Sequence, residues 1–375
     1  MNNRSDHRFM MTCLPLASRD NSATRDMTDS TFESYLSHPT IYMEEDECEM
    51  NDMDMRIGRS KLEHIARDIS NRDVEILKST RDYRYLTTDQ LRRLYFRDSI
   101  SDIAALRSAN RILAKLKGLE LLRPLTRRIG GVRAGSASFI WALSPTGARL
   151  LDMQECAENP KRKRFREPRP SFLEHTLAVA ELSIRLMEMS FLEKSKLITE
   201  IPSATISTAS SETSITLIRQ ELEPICWRIY AGIGGAVKTL KPDLFTITSA
   251  GEYDDYTFWE VDLSTEAPSQ VVRKCEQYIA YRHSGVEQRN SGGVFPSVVW
   301  LVPTEKRKNS LKRHIDEMRG DNTSIFTVIT MDELYALVEL GVEGFKKQTA
   351  LGVGVNLENN APESISGKNL MGRCV

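Results

Sequence analysis

Leu240-Lys241-Pro242-Asp243-Leu244-Phe245 and, after a polar turn at Ser249-Ala250-Gly251, Phe258-Trp259-Glu260-Val261-Asp262-Leu263 decide the fold. Both runs are rich in aromatic and β-branched residues and are separated by turn residues, the pattern of a β-hairpin. Side chains alternate faces along a strand, so Phe258, Glu260 and Asp262 share one face and Trp259, Val261 and Leu263 the other. Two carboxylates thus project from a strand that otherwise reads as buried, and Asp243 opens the neighbouring strand. A buried carboxylate needs a partner, because desolvating its charge costs several kcal/mol. A hard divalent cation is one such partner. A turn cap or a basic side chain is another.

Downstream, Thr265-Glu266-Ala267-Pro268 starts a helix with proline in its first turn, running through Val272, Cys275 and Ile279. Lys274, Tyr278 and Tyr281 lie on a neighbouring face. Pro296 to Pro303 is a continuous apolar strand, followed by a charged helix over 305–319, a strand over 325–329 and a helix over 331–341. Upstream, 172–192 is a long helix with Leu173, Leu177, Ala180, Ile184 and Met187 along one side. His175 reads there as a cap or packed side chain, not as a ligand. A hairpin passing into α/β units predicts an α/β fold, a mixed sheet with helices on both faces.

The region before it has a different character. Asp73 is read as capping a first helix, Thr87 with Gln90 makes a capping box for a second, and Ser101 or Asp102 caps a third. The third carries an apolar stripe of Leu106, Ala109, Leu113 and Leu116, and Gly118 stops it. Its other side holds Arg107, Asn110, Arg111 and Lys115. A hairpin follows, with Arg127, Arg128 and Arg133 at its glycine-rich tip, and Ser144-Pro145-Thr146-Gly147 opens a closing helix. Three helices and a basic wing predict a winged helix-turn-helix, the third helix entering the major groove and the wing arginines reaching phosphates. A protein-interaction module with a solvated basic face is the alternative.

The predicted organisation is a disordered acidic tail over 1–68, the winged helix over 69–155, a basic linker over 156–170, the α/β domain over 171–341 and a flexible tail over 342–375. The formal net charge of -1 hides this unevenness: Glu44 to Asp54 is strongly acidic, and Lys161 to Arg169 carries a run of basic residues. The six cysteines form no metal-ligand or disulfide pattern, no apolar run reaches membrane-spanning length and no signal-peptide core precedes the tail, which predicts a cytoplasmic protein without a membrane partner.

Pro242-Asp243 on one strand and Glu260-Val261-Asp262 on the next resemble the PD-(D/E)xK signature of restriction-endonuclease-like proteins. With the winged helix in front, the chain resembles the replication-relaxation family of plasmids and mobile elements, similar to mobilisation relaxases. The resemblance runs over about 70–335, carried by Arg111 to Leu122, Trp141 to Gly147, His175, Lys241 to Asp243, Glu260 to Glu266, and Lys274 with Tyr278. It implies a DNA-binding protein that nicks or relaxes double-stranded DNA, with other replication or mobilisation proteins as further partners. Asp243 and Glu260 would hold Mg²⁺ or Mn²⁺. The motif asks for lysine where this chain has Asp262. Either Lys274 takes that role, with Asp262 as a further metal ligand, or hydrolysis is lost. Tyr278 and Tyr281 are candidate nucleophiles for a covalent link to DNA, although packing is the commoner use of such tyrosines. The alternatives are an inert DNA-binding accessory protein with a degenerate nuclease fold and a transcriptional repressor.

Overall fold

The structure, a computed structural model, describes residues 57–129, 138–156, 167–199, 215–251, 253–318 and 321–351; side chains at 127–129, 192–199, 233 and 321–322 are outside that description. The acidic run at 44–54, the basic stretch at 161–166 and Arg133 therefore lie outside the described residues, as do the side chains of Arg127 and Arg128.

The chain first builds α1 (Arg59–Asp68), α2 (Asn71–Asp82), β1 (Tyr85–Thr87), α3 (Thr88–Tyr95), α4 (Asp102–Gly118), β2 (Leu122–Ile129), β3 (Ser138–Leu143) and α5 (Pro145–Gln154). α1 falls inside the stretch expected to lack structure; Leu62, Ile65 and Ile69 give it a buried side. Local chemistry sets the helix starts. Ser70, not Asp73, is the N-cap of α2, with Asp73 closing the capping box at 3.0 Å. Thr87 and Gln90 form the second box, and Ser101 and Ser144 cap α4 and α5. The strands pair in the order β1-β3-β2, all antiparallel. Gly147 lets α5 close on this sheet, since a Cβ there would stand 2.3 Å from the Leu121 carbonyl oxygen. α4 buries Ala105, Ala109, Leu113 and Leu116. The expected stripe holds at Ala109, Leu113 and Leu116; only its first position differs, Ala105 being buried and Leu106 exposed.

α6 (Pro170–Thr199) is a shared wall. Leu173 and Leu177 pack with Leu125, Ile140 and Ala142, while Ala180 and Ile184 join the core of the first elements. Val179, Leu182, Leu186 and Met189 join the core of the large sheet. Polar contacts pin the same helix: Tyr83 and Ser183 hydroxyls meet at 2.6 Å, Gln220 Nε2 donates to Tyr83 Oη at 3.1 Å, and Arg93 bridges Glu181 and Glu188. A helix buried on several sides carries no single apolar stripe, which is why one side alone was legible.

The remainder comprises β4 (Ile215–Leu222), β5 (Arg228–Ala231), β6 (Val237–Leu240), β7 (Leu244–Ala250), β8 (Tyr253–Val261), α7 (Pro268–Ser284), α8 (Val286–Asn290), β9 (Ser297–Val302), α9 (Glu305–Asp316), β10 (Phe326–Thr330) and α10 (Leu334–Ala350). Five strands form a mixed sheet in the order β10-β9-β8-β7-β4. β4, β7 and β8 run antiparallel; β8, β9 and β10 run parallel. Alternation sorts β9 cleanly: Val298, Trp300 and Val302 face α7 and α9, and Val299 and Leu301 face α6 and α10. This is the predicted α/β fold with helices on both faces. β5 and β6 form a separate two-stranded ribbon that the sequence reading did not separate out. The last helix passes the expected stop at Gly341 and reaches Ala350. Gly341 absorbs a kink at φ +69, and a Cβ there would stand 2.5 Å from Asp255 Oδ2.

Candidate functional site

The hairpin delivers two carboxylates to one end of the sheet. Asp243 stands just before β7; its amide donates to the Trp259 carbonyl at 3.1 Å, and the Val261 amide donates to Asp243 Oδ2 at 2.7 Å. His175, from the first turns of α6, places Nε2 at 3.2 Å from the same oxygen. Burial alone would raise the Asp243 pKa, but the His175 charge and hydrogen bond, with Lys274 nearby, hold it below the usual carboxylate range. Burial likewise works against the His175 proton, yet Asp243 outweighs it and pushes the imidazole up to about 9. The pair is therefore His⁺ and Asp⁻ at neutral pH. The plain reading of His175 as a cap or packing residue is corrected: it is the partner of Asp243.

Glu260 leaves β8 toward α7. Tyr278 Oη donates to Glu260 Oε1 at 2.5 Å and Lys274 Nζ stands 3.3 Å from the same oxygen. Lys274 also donates to the Lys241 carbonyl at 2.7 Å, which ties it to the strand entry beside Asp243. Burial pushes Glu260 up to about 8; Lys274 opposes this and the Asp243 charge adds to it. The ammonium of Lys274 is disfavoured by burial and favoured more strongly by Glu260 and Asp243, so its pKa rises. Two carboxylates from adjacent strands are thus electrically coupled, and burial keeps Glu260, raised to about 8, from ionising fully at neutral pH.

Asp262 does not join them. It shares the Glu260 face, as alternation requires, but its Oδ2 accepts from Arg307 Nε at 2.5 Å and its Oδ1 from the Ser264 amide at 2.9 Å. Arg307 also donates to the Glu266 carbonyl at 2.7 Å. Asp262 therefore anchors α9 to the end of β8. The expected convergence of Asp243, Glu260 and Asp262 is replaced by Asp243, Glu260, His175 and Lys274.

Neither tyrosine is presented as a nucleophile. Tyr278 is fully buried, its phenol raised well above its ordinary value by burial first and Glu260 second. Tyr281 is equally buried and donates to Glu287 Oε2 at 2.5 Å, away from the carboxylate pair. The stripe of α7 is accordingly Val271, Cys275, Tyr278 and Tyr281, and Val272 and Ile279 are only half-buried.

A cleft of about 250 Å³ opens on Asp243 and His175, walled by Tyr83, Arg84, Phe172 and Glu223. A larger hollow of about 400 Å³, lined by Lys238, Arg273 and Gln277 among others, touches none of the four charged residues. The smaller cleft is the one beside the Asp243–His175 pair.

On α4, Arg107, Asn110 and Arg111 are exposed. Lys115 is committed elsewhere: its Nζ lies 2.8 Å from the buried carboxylate of Asp73, clamping α4 to α2.

Among the described residues no three His, Cys, Asp or Glu side chains form a metal cage. Asp243 and Glu260 nevertheless fit Mg²⁺ or Mn²⁺ as a donor set. Mg²⁺ takes one or two carboxylates and completes its shell with water and phosphate oxygens rather than with protein. Burial first, and the Asp243 charge after it, raise the Glu260 pKa, so a cation at this pair would favour the ionised carboxylate.

Among the described residues no helix is long and apolar enough to cross a membrane. No curated protein and no solved structure matches the chain. A family model described as "Replication-relaxation" matches residues 77–298, from α2 through the carboxylate hairpin to β9, more than half of the chain. The chain belongs to the replication-relaxation family.

Proposed function

We propose that this protein engages double-stranded DNA in replication or mobilisation and nicks it at a PD-(D/E)xK-type site whose lysine is carried by α7. The observation supporting this is the approach of Lys274 Nζ to within 3.3 Å of Glu260, in the field of Asp243. The first elements act as a winged helix, with Arg107, Asn110 and Arg111 of α4 facing the major groove.

The division of labour follows from the contacts. Asp243 and Glu260 would hold Mg²⁺ or Mn²⁺, which when bound polarises a phosphate oxygen and acidifies a water. His175 keeps Asp243 ionised by pairing with it. Tyr278 and Lys274 both hold Oε1 of the Glu260 carboxylate. The Lys274 ammonium supplies fixed positive charge where a scissile phosphate accumulates negative charge. Asp262 and Arg307 hold the strand end but stay outside the reaction.

A second reading, an inert DNA-binding accessory protein, draws on one observation: each site carboxylate already faces a protein cation, His175 or Lys274. Supercoiled plasmid bearing the cognate origin, incubated with Mg²⁺, separates the two. Nicking by the wild type that disappears in Asp243→Ala and Glu260→Ala supports the nuclease. Origin binding without nicking leaves the accessory role.

A further inference from the structure

The cleft beside Asp243 has a composition that a phosphate site would not have. Three carboxylates, Asp82, Glu223 and Asp243, line it. Its cations are spoken for: Arg84 lies 3.3 Å from Glu223 and His175 pairs with Asp243. Each lining carboxylate thus has a cation partner, Asp82 with Arg81 included, so the lining Arg84 and His175 are already paired when a phosphate arrives, and a neutral planar group needs no cation. The cleft also offers an aromatic face. Phe172, half-buried in the first turn of α6, is held edge-on by Tyr85 at 90° and 6.5 Å between ring centroids. The Arg84 guanidinium stands over the Phe172 ring at 5.8 Å from its centroid, farther than the 3.5 Å of Arg97 over Phe191. Arg84 occupies the left-handed backbone region at φ +66, a conformation costly for a non-glycine residue and concentrated at ligand clamps. The volume, about 250 Å³, lies just below the usual range of ligand sites, about 300–1,000 Å³, which suits one ring system and not a run of nucleotides.

We propose that this cleft takes a single unpaired nucleobase, stacked on Phe172 and flanked by Arg84, next to the phosphate engaged at Asp243 and Glu260. The inference rests on the proposed nuclease-like role of that site. It makes the substrate a duplex with a base drawn out of the stack, not an intact duplex. An everted base needs a π-face, and Phe172 supplies one a single helix turn from His175.

The test uses full-length protein in EDTA, which removes cleavage from the readout. Two duplexes of one cognate sequence are compared, one fully paired and one with 2-aminopurine in a single-base bulge. The wild type should bind the bulged duplex about tenfold more tightly, with a change in 2-aminopurine emission, as expected for one base–aromatic stack. Phe172→Leu, which keeps apolar bulk, should lose the preference and the emission change while binding the paired duplex normally. Phe172→Tyr should restore both. A preference that survives Phe172→Leu, or a wild type that binds both duplexes equally, overturns the proposal. If the wild type binds neither duplex, the DNA-engaging role itself fails and the base pocket with it. Arg111→Ala, which should weaken both duplexes alike, tells an α4 defect from a pocket defect.

Discussion

Lys274 Nζ stands 3.3 Å from Glu260 Oε1, brought to that carboxylate by the helix that follows the strand and not by the strand itself. The residue on the strand, Asp262, is free to do something else. Replacing Lys274 by methionine keeps its length and removes its charge. Nicking by Lys274→Met should fall by about 10²- to 10³-fold, the usual loss when one preorganised donor at a developing anion is removed. DNA affinity should stay within a few-fold, because a single cation at the reaction centre contributes little to the total phosphate contact. Parallel nicking and anisotropy assays check this; equal loss in both would make Lys274 a DNA-binding residue instead.

Arg307 and Asp262 make the complementary case. Asp262 is 0% exposed at its side chain and Arg307 12%, so the pair is screened little by water. Removing one member of such a pair strands the other charge in the interior. Arg307→Ala should destabilise the fold by about 3–5 kcal/mol, read by urea unfolding. Nicking per folded molecule should be retained, since neither side chain reaches the carboxylate pair. Selective loss of nicking at full stability would return Asp262 to the metal site.

These two lysine and arginine contacts also mark what was legible in the sequence. That Asp243 and Glu260 stand on neighbouring strands, and that Glu260 and Asp262 share a face, follows from a hairpin and a period of two, both local properties. The partners did not. His175 lies 68 residues from Asp243 and Arg307 45 residues from Asp262, and each is brought in by a helix whose docking depends on the whole sheet. Nothing in a lone histidine at a helix start separates a cap from an ion-pair partner. Along α4 the period is legible at Ala109, Leu113 and Leu116, and only its first position differs: Leu106 and Ala105 both fit a helical period, apolarity favours leucine, and the fold buries the alanine.

His175 and Glu260 bias stability toward acid. Both have folded-state pKa values above their ordinary ones, so the folded protein binds their protons more tightly than the unfolded chain. The His175 contribution is fully present below 6.5 and is lost as pH rises through about 9. The Glu260 contribution declines between 4.5 and about 8. Asp243 has the opposite sign and is lost only as pH falls below its ordinary 3.8. Thermal midpoints should therefore fall from pH 6 to pH 9 in the wild type. His175→Gln should start lower at pH 6 and show a shallower fall. An identical slope in the variant would mean that His175 is not charged in the folded protein.

The proton on Glu260 is also the competitor of any cation at that site. Mg²⁺ or Mn²⁺ binding should release up to one proton near pH 7, and affinity should climb as pH rises toward about 8. Calorimetry in buffers of different ionisation enthalpy measures the protons released, and Glu260→Gln should abolish the release. Binding without proton release would place the metal away from Glu260.

Tyr278 supplies the last discriminating substitution. Its hydroxyl hydrogen bond stabilises the ionised Glu260 carboxylate, against the stronger effect of burial. Tyr278→Phe removes only that bond. Glu260 should then hold its proton to higher pH, and the rising limb of the nicking pH profile should move in the alkaline direction, with activity at its plateau largely kept. A nucleophilic tyrosine behaves otherwise: its phenylalanine variant is inactive at every pH and forms no protein–DNA adduct on a denaturing gel. Tyr281→Phe, which touches Glu287 and not Glu260, should leave the profile in place. A shifted profile for Tyr278→Phe and an unshifted one for Tyr281→Phe therefore assign Tyr278 to positioning Glu260 and exclude both phenols from the bond-making step.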